Sequence, residues 1–174
     1  RMMVNLGSII AWITGNARDT NAMTERMKDG YDGKYTDYAY HYDELSSFHY
    51  EKISQLLIQL TYCKNKEVAD VGCGTGILSF MALEQGVSKL SCIDLSKSML
   101  DKCRKKSIAK GYKNIISFYE ACAEQLPFPD NSFDIIFSNM VLGMIPNQLA
   151  TINELKRILR PGGTIAISVH GPDH

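Results

Sequence analysis

The chain has 174 residues, 45% apolar and 22% charged, with 19 basic side chains against 19 acidic ones. Such a length and apolar content fit one globular domain with a sizeable core and exclude a disordered chain. A formal charge of zero removes any global electrostatic reason to expect nucleic acid as a partner. The cysteines, Cys63, Cys73, Cys92, Cys103 and Cys122, are odd in number and lack C-x-x-C spacing. They read as reduced thiols of a cytoplasmic protein, neither a disulfide framework nor a zinc site, and no metal is expected.

Met2 to Ile13 is apolar but short and interrupted by Asn5, Gly7 and Ser8, too little to span a bilayer. With one basic residue ahead of it and no small-x-small cleavage site, it reads as a lid or packing segment rather than a signal peptide. Residues 14–36 have no sustained apolar period and carry turn signals at Asp29-Gly30 and Asp32-Gly33, so they read as loop or linker. After the tyrosine-rich stretch Tyr38 to Leu45, a helix is expected from Phe48 to Tyr62 with Ile53, Leu56, Leu57 and Leu60 sharing one face. This division predicts an N-terminal lid or helical extension over 1–60 and a core over 61–174.

The core opens with Val68-Ala69-Asp70-Val71, an apolar run ending at the glycine-rich stretch Gly72-Cys73-Gly74-Thr75-Gly76. Strand, tight turn and helix start are expected, and the glycines let a ligand lie against the main chain. A dinucleotide fingerprint wants G-x-G-x-x-G, yet Ile77 stands where its third glycine should be. Asp70 would repel a pyrophosphate, but it can organise the loop or receive an ammonium group through water. A nucleoside cofactor with no phosphate and with an amino-acid tail fits this cradle better than a dinucleotide.

Thr75 to Gln85 reads as a helix closed by Gly86. Lys89 to Asp94 reads as the second strand, and Asp94 lies about twenty residues past the loop, where a carboxylate meets ribose hydroxyls. A helix follows to near Gly111 with Ser96 as N-cap, and its basic run, Lys102 to Lys113, reads as a solvated face. Ile115 to Tyr119 is the third expected strand and Glu120 to Phe128 the next loop. Phe133 to Asn139 is too apolar for a wet face and suits a central parallel strand. A helix over Gln148 to Leu159, a turn at Arg160-Pro161-Gly162-Gly163 and a fifth strand over Thr164 to Val169 complete the order. Alternating strands and helices predict an α/β fold, a doubly wound, Rossmann-like parallel sheet with its site at the carboxyl ends of the strands.

Asp-x-Gly-x-Gly-x-Gly at 70–76 resembles motif I of the class I S-adenosylmethionine-dependent methyltransferases. Glu120 to Phe128 resembles the family's Asp-Ala-x-x-Leu-Pro-Phe segment, and Glu154 to Gly163 its turn into strand five. The resemblance covers about residues 66–170 and is nearest the small-molecule, methyltransferase-type-11 branch. It implies S-adenosyl-L-methionine as cofactor and methyl transfer to a small-molecule acceptor. The cofactor-binding residues it implies are Asp70, Gly72, Cys73, Gly74 and Gly76 of the loop, Asp94 and Leu95, and Met99 packing on the nucleoside. It adds Cys122, Ala123 and Glu124 at the adenine, Asn139 at the end of strand four, and Tyr42 as a closing lid residue.

Cys122 stands where the family has an adenine-binding acid, which weakens that contact or hands it to Glu124 or Glu120, and Gly143 stands where many relatives have a histidine. No catalytic base is legible; His41, His49, Glu44, Tyr42 and Asn139 are the neighbours to test. The family's terminal strand 6–7 hairpin has no counterpart before His174, so strand five is expected to be an edge paired with a second copy or blocked by the N-terminal region. Two alternatives stand beside the enzyme: a non-catalytic methyltransferase-like binding domain, and an NAD-dependent oxidoreductase on the same sheet.

Overall fold

The computed structural model describes residues 50–169. Tyr38, His41, Tyr42, Glu44 and His49 lie outside the described residues. Helical residues 50–59 (α1) lead into strand β1 (Glu67–Val71), followed by helix α2 (Ile77–Glu84), β2 (Lys89–Asp94), α3 (Lys97–Ala109) and β3 (Ile116–Glu120). Then come β4 (Phe133–Asn139), a single 3-10 turn at Leu142–Met144, α4 (Gln148–Ile158) and β5 (Leu159–Ser168).

The five strands form one parallel sheet in the order β3-β2-β1-β4-β5. This is the doubly wound arrangement expected from the sequence. From β1 the chain steps outward to β2 and β3, then crosses back to place β4 on the other side of β1. The order therefore reverses between β1 and β4, where open α/β sheets leave a crevice at the strands' carboxyl ends.

Alternation along each strand divides the core between the two sheet faces. Val68, Leu90, Cys92, Ile135 and Phe137 pack with Leu57 and Ile58 of α1, Leu78, Phe80 and Leu83 near α2, and Leu100 and Cys103 of α3. Ala69, Val71, Ile93 and Ile136 face the other way and pack with Leu155 and Ile158 of α4 and with Leu126 from the β3–β4 connection. At the amino ends of the strands, Arg160 pairs with Glu67 and, at 3.1 Å, with Asp134, tying β5 to β1 and β4.

The buried side of α1 matches the expected one only in part: Leu57 is buried and Ile53 packs against the core. Ser54, Leu57, Ile58 and Thr61 are buried, whereas Leu56 and Leu60 are 37% and 43% exposed. Apolar residues crowd this helix on more than one flank, and docking selects among them: Ser54 accepts a hydrogen bond from the side-chain amide of Asn139 at 3.0 Å. The start of β5 also needs correction. The strand begins at Leu159 rather than Thr164, and Arg160-Pro161-Gly162-Gly163 is a register shift against β4 rather than a free turn. A Cβ at Gly163 would lie 2.8 Å from the Asp134 carbonyl, so only glycine lets the two backbones approach there. Among the described residues β5 pairs with β4 alone and forms one edge of the sheet.

Candidate functional site

A cleft with about 340 Å³ of enclosed and open space lies at the carboxyl ends of β1 and β4. It is lined by Tyr50, Asp70, Gly72, Cys73, Gly74, Thr75, Ile77, Leu78 and Asn139. The fold thus brings together five residues singled out in the sequence, Asp70, Gly72, Cys73, Gly74 and Asn139, and it adds Tyr50, Thr75, Ile77 and Leu78.

The glycine loop is held from below by β2: the N–H groups of Gly72 and Cys73 both donate to the carbonyl of Ile93, at 2.8 and 3.0 Å. Its glycines serve different ends. A Cβ on Gly72 would meet Val141 at 2.2 Å, and one on Gly76 would meet Cys103 Sγ at 2.5 Å, so both permit close packing. Gly74, at φ +54°, lines the cleft, and a Cβ placed on it would meet nothing within 4 Å. Its bare backbone is open to a ligand.

Asp70 sits at 1% exposure beneath this loop. Its Oδ2 accepts from the Ser79 hydroxyl at 2.5 Å, whereas its Oδ1 has no hydrogen-bond partner among the described residues. Burial pushes the carboxyl up to about 7 against the opposing Ser79 hydrogen bond, with smaller upward contributions from Cys103 and Asp94. A buried, half-satisfied carboxylate beside a cleft is suited to a ligand that brings positive charge or an N–H donor.

Asp94, at the end of β2, is half-buried. Its Oδ2 accepts from the Gly74 N–H at 2.8 Å and its Oδ1 from the Ser96 N–H at 2.9 Å. Burial raises its pKa and these backbone hydrogen bonds oppose the rise. Each carboxylate oxygen keeps a second lone pair, so the group can still accept from hydroxyls while holding the loop. Just beyond it Leu95 is half-buried, and Met99 in the first turn of α3 is 4% exposed, its N–H reaching the Ser96 hydroxyl.

Cys122, Ala123 and Glu124 follow β3 and are all half-buried. The Cys122 thiol donates to Glu124 Oε2 at 3.1 Å, and Glu124 Oε1 accepts from the Asn147 N–H at 2.9 Å. The carboxylate expected to take over from Cys122 is thus anchored to the start of α4. Burial and the Glu124 side chain keep the Cys122 thiol up at about 11, with the Glu124 backbone opposing. Across the cleft, Asn139 donates to Ser54 Oγ and accepts from the Ser168 hydroxyl at 2.5 Å, joining α1, β4 and β5 at one point.

The Asn139 clamp was not legible because its partners, Ser54 and Ser168, lie 85 and 29 residues away along the chain. Thr75 carried a local signal, being the remaining polar side chain within the glycine loop.

A family described as a methyltransferase domain matches residues 69–167, more than half of the chain. The chain is 31% identical over 122 residues to a demethylmenaquinone methyltransferase of Symbiobacterium thermophilum, covering 68% of this chain and 49% of that protein. It is 37% identical over 103 residues to a malonyl-[acyl-carrier protein] O-methyltransferase of Serratia marcescens, covering 59% of this chain and 38% of that protein. Among solved structures, an S-adenosylmethionine-dependent methyltransferase from Mesorhizobium loti aligns with a TM-score of 0.61 at 26% identity, covering 70% of this chain and 53% of the other. The chain therefore spans half or less of each of these two curated relatives. The glycine loop over a buried carboxylate, the sheet order and these likenesses agree: the chain belongs to the class I S-adenosylmethionine-dependent methyltransferase family.

Proposed function

We propose that the protein is an S-adenosyl-L-methionine-dependent methyltransferase acting on a small-molecule acceptor. The observation that carries this reading is the unpartnered Asp70 Oδ1, buried beneath the open backbone of Gly74 at the edge of the cleft. It fits a cofactor with a cationic amino-acid end and no phosphate. In this reading Asp94 accepts from the ribose hydroxyls while keeping Gly74 in place, and Leu95 and Met99 pack on the nucleoside. Ala123 offers its backbone to the base, with Cys122 and Glu124 beside it.

When bound, the sulfonium supplies an electrophilic methyl carbon with a good leaving group. The residues of this chain then have to align acceptor and methyl and exclude water, and alignment of this kind supplies about 7–11 kcal/mol. Tyr50 and Asn139 stand at the mouth between β1 and β4, where they can orient an acceptor. Relatives named for demethylmenaquinone and for malonyl-[acyl-carrier protein] support acceptors that are small groups rather than nucleic acids. No helix among the described residues is long and apolar enough to cross a membrane. A cytoplasmic location and pairing of the β5 edge with a second copy complete the proposal.

Calorimetric titration with S-adenosylmethionine, S-adenosylhomocysteine and NAD is the test. Micromolar binding of the first two, lost in Asp94→Ala, is expected; preference for NAD would replace this reading with the oxidoreductase. A methyl-transfer screen over amines, phenols, quinones and acyl thioesters then identifies the acceptor. Cofactor binding with no turnover on any class would favour the non-catalytic binding domain.

A further inference from the structure

Cys73, Cys92 and Cys103 come from three different elements: the glycine loop, the middle of β2 and the second turn of α3. The fold converges them. Their three sulfurs all lie within 4.8 Å of one another. All three residues are buried, at 8%, 0% and 0% exposure, and none is in a disulfide. Along the chain they are scattered, with nothing closer than 11 residues between them (92 to 103), and the fold alone brings them together. The cluster has a route to solvent through Cys73, which lines the cleft.

Geometry admits a single ion here. A pyramidal trivalent centre bonded at about 2.3 Å to three sulfurs holds them about 3.5 Å apart, a spacing compatible with three sulfurs that already lie within 4.8 Å of one another. Charge then selects the ion. Asp70 lies close by, linked through the Ser79 hydroxyl, which touches Cys92 Sγ at 3.1 Å and Asp70 Oδ2 at 2.5 Å. Burial already pushes the Cys73 and Cys92 thiols well up, and the charge of Asp94 pushes the Cys73 thiol up further, so an added negative charge is disfavoured. Three thiolates around a monovalent or divalent metal leave a net negative complex in this low-dielectric pocket. Around a trivalent centre they leave none.

We propose that Cys73, Cys92 and Cys103 form a three-sulfur site for a trivalent thiophilic oxyacid of the arsenous type, entered from the cleft and closed beneath the glycine loop. The oxyacid arrives uncharged. Each thiol gives its proton to a departing hydroxide, three As–O bonds break as three As–S bonds form, and three waters leave. No oxidant or reductant is needed, because arsenic stays trivalent and sulfur stays a thiolate. The product is a neutral trithiolate that staples loop, strand and helix together. The site shares Cys73 with the cofactor loop, but its formation does not require methyl transfer.

The probe is arsenite, added to the full chain after reduction and removal of the reductant, with native mass spectrometry as readout. The expected adduct carries one arsenic and has lost three hydrogens, and its formation raises the thermal midpoint. Cys73→Ala is expected to weaken uptake about 100-fold, as loss of one tooth of a chelate does. A chain with Cys63→Ala and Cys122→Ala retains only the three clustered thiols and is expected to keep the adduct. X-ray absorption at the arsenic edge on that chain, and on the unaltered protein, should count three sulfur neighbours. This keeps the test decisive if Cys73→Ala fails to fold. No adduct, an adduct missing only two hydrogens, undiminished uptake by a folded Cys73→Ala, or tighter binding of zinc than of arsenite would each overturn the proposal.

Discussion

The carboxylate of Asp94 accepts the main-chain N–H of Gly74 at 2.8 Å, so the tip of β2 fixes the middle of the loop that follows β1. One side chain thus shapes the cradle and, on the proposed reading, contacts the ligand in it. Replacing it with alanine leaves the Gly74 and Ser96 N–H groups without their acceptor. Asp94→Ala is expected to lower S-adenosylmethionine affinity thirtyfold or more, about 2 kcal/mol, and to lower stability by about 1–3 kcal/mol. Calorimetry and denaturant melts separate the two effects.

Asp70 makes stability and binding depend on pH in opposite directions. Its folded pKa of about 7 exceeds the ordinary 3.8, so the folded state holds the proton to higher pH than the unfolded chain does. The stabilisation is complete below the unfolded value and is lost as pH rises toward about 7, by no more than about 4 kcal/mol. Asp94 is shifted the same way and adds to the slope. Asp70→Asn is expected to flatten the fall in stability between about pH 4 and pH 7 in denaturant melts. Cofactor affinity should rise with pH through about 7 in the parent chain and stay level in the variant, because a cationic ligand favours the ionised carboxylate.

Two glycines of one loop are expected to fail differently. Gly72→Ala drives a methyl to 2.2 Å from Val141 at φ +77° and should cost about 2–4 kcal/mol of stability. Gly74→Ala meets nothing within 4 Å, so at φ +54° it should cost only about 1–2 kcal/mol. The same substitution narrows the ligand's approach to the backbone. Tenfold or greater loss of cofactor affinity with a thermal midpoint lowered less than in Gly72→Ala is the expected result for Gly74→Ala; equal loss of folding in both variants would refute this division of labour.

Arg157 holds the β3–β4 connection onto α4. It pairs with Glu154 at 2.8 Å and donates to the carbonyls of Phe128 and Leu126 at 2.7 and 3.1 Å. Glu154 in turn accepts the Leu126 N–H. Lysine cannot reproduce this planar fork, so Arg157→Lys is expected to cost about 1–2 kcal/mol, read as a lowered denaturation midpoint. Arg157 holds the Glu154 carboxyl below its ordinary value, so the stabilisation is present above the unfolded pKa and fades as pH falls through the lowered one.

Strand and helix order, the glycine loop, and Asp94 as the carboxylate ending strand two were all legible along the chain, because local periodicity and short spacing carry them, whereas the hydrogen bond from Gly74 to Asp94 came only from the fold. The bounds of β4 were legible for the same reason: Phe133–Asn139 is apolar enough to be buried on both faces. Which side of α1 is buried was settled by packing alone, since its apolar residues fit more than one helical face until Asn139 takes Ser54 as partner. Packing likewise places Pro161-Gly162-Gly163 within β5, because the need for glycine there comes from the Asp134 backbone, distant in sequence. The unpartnered oxygen of Asp70 and the three converging thiols belong to the same class of fact. Burial and proximity across the sheet set their chemistry, and neither leaves a trace in spacing along the chain.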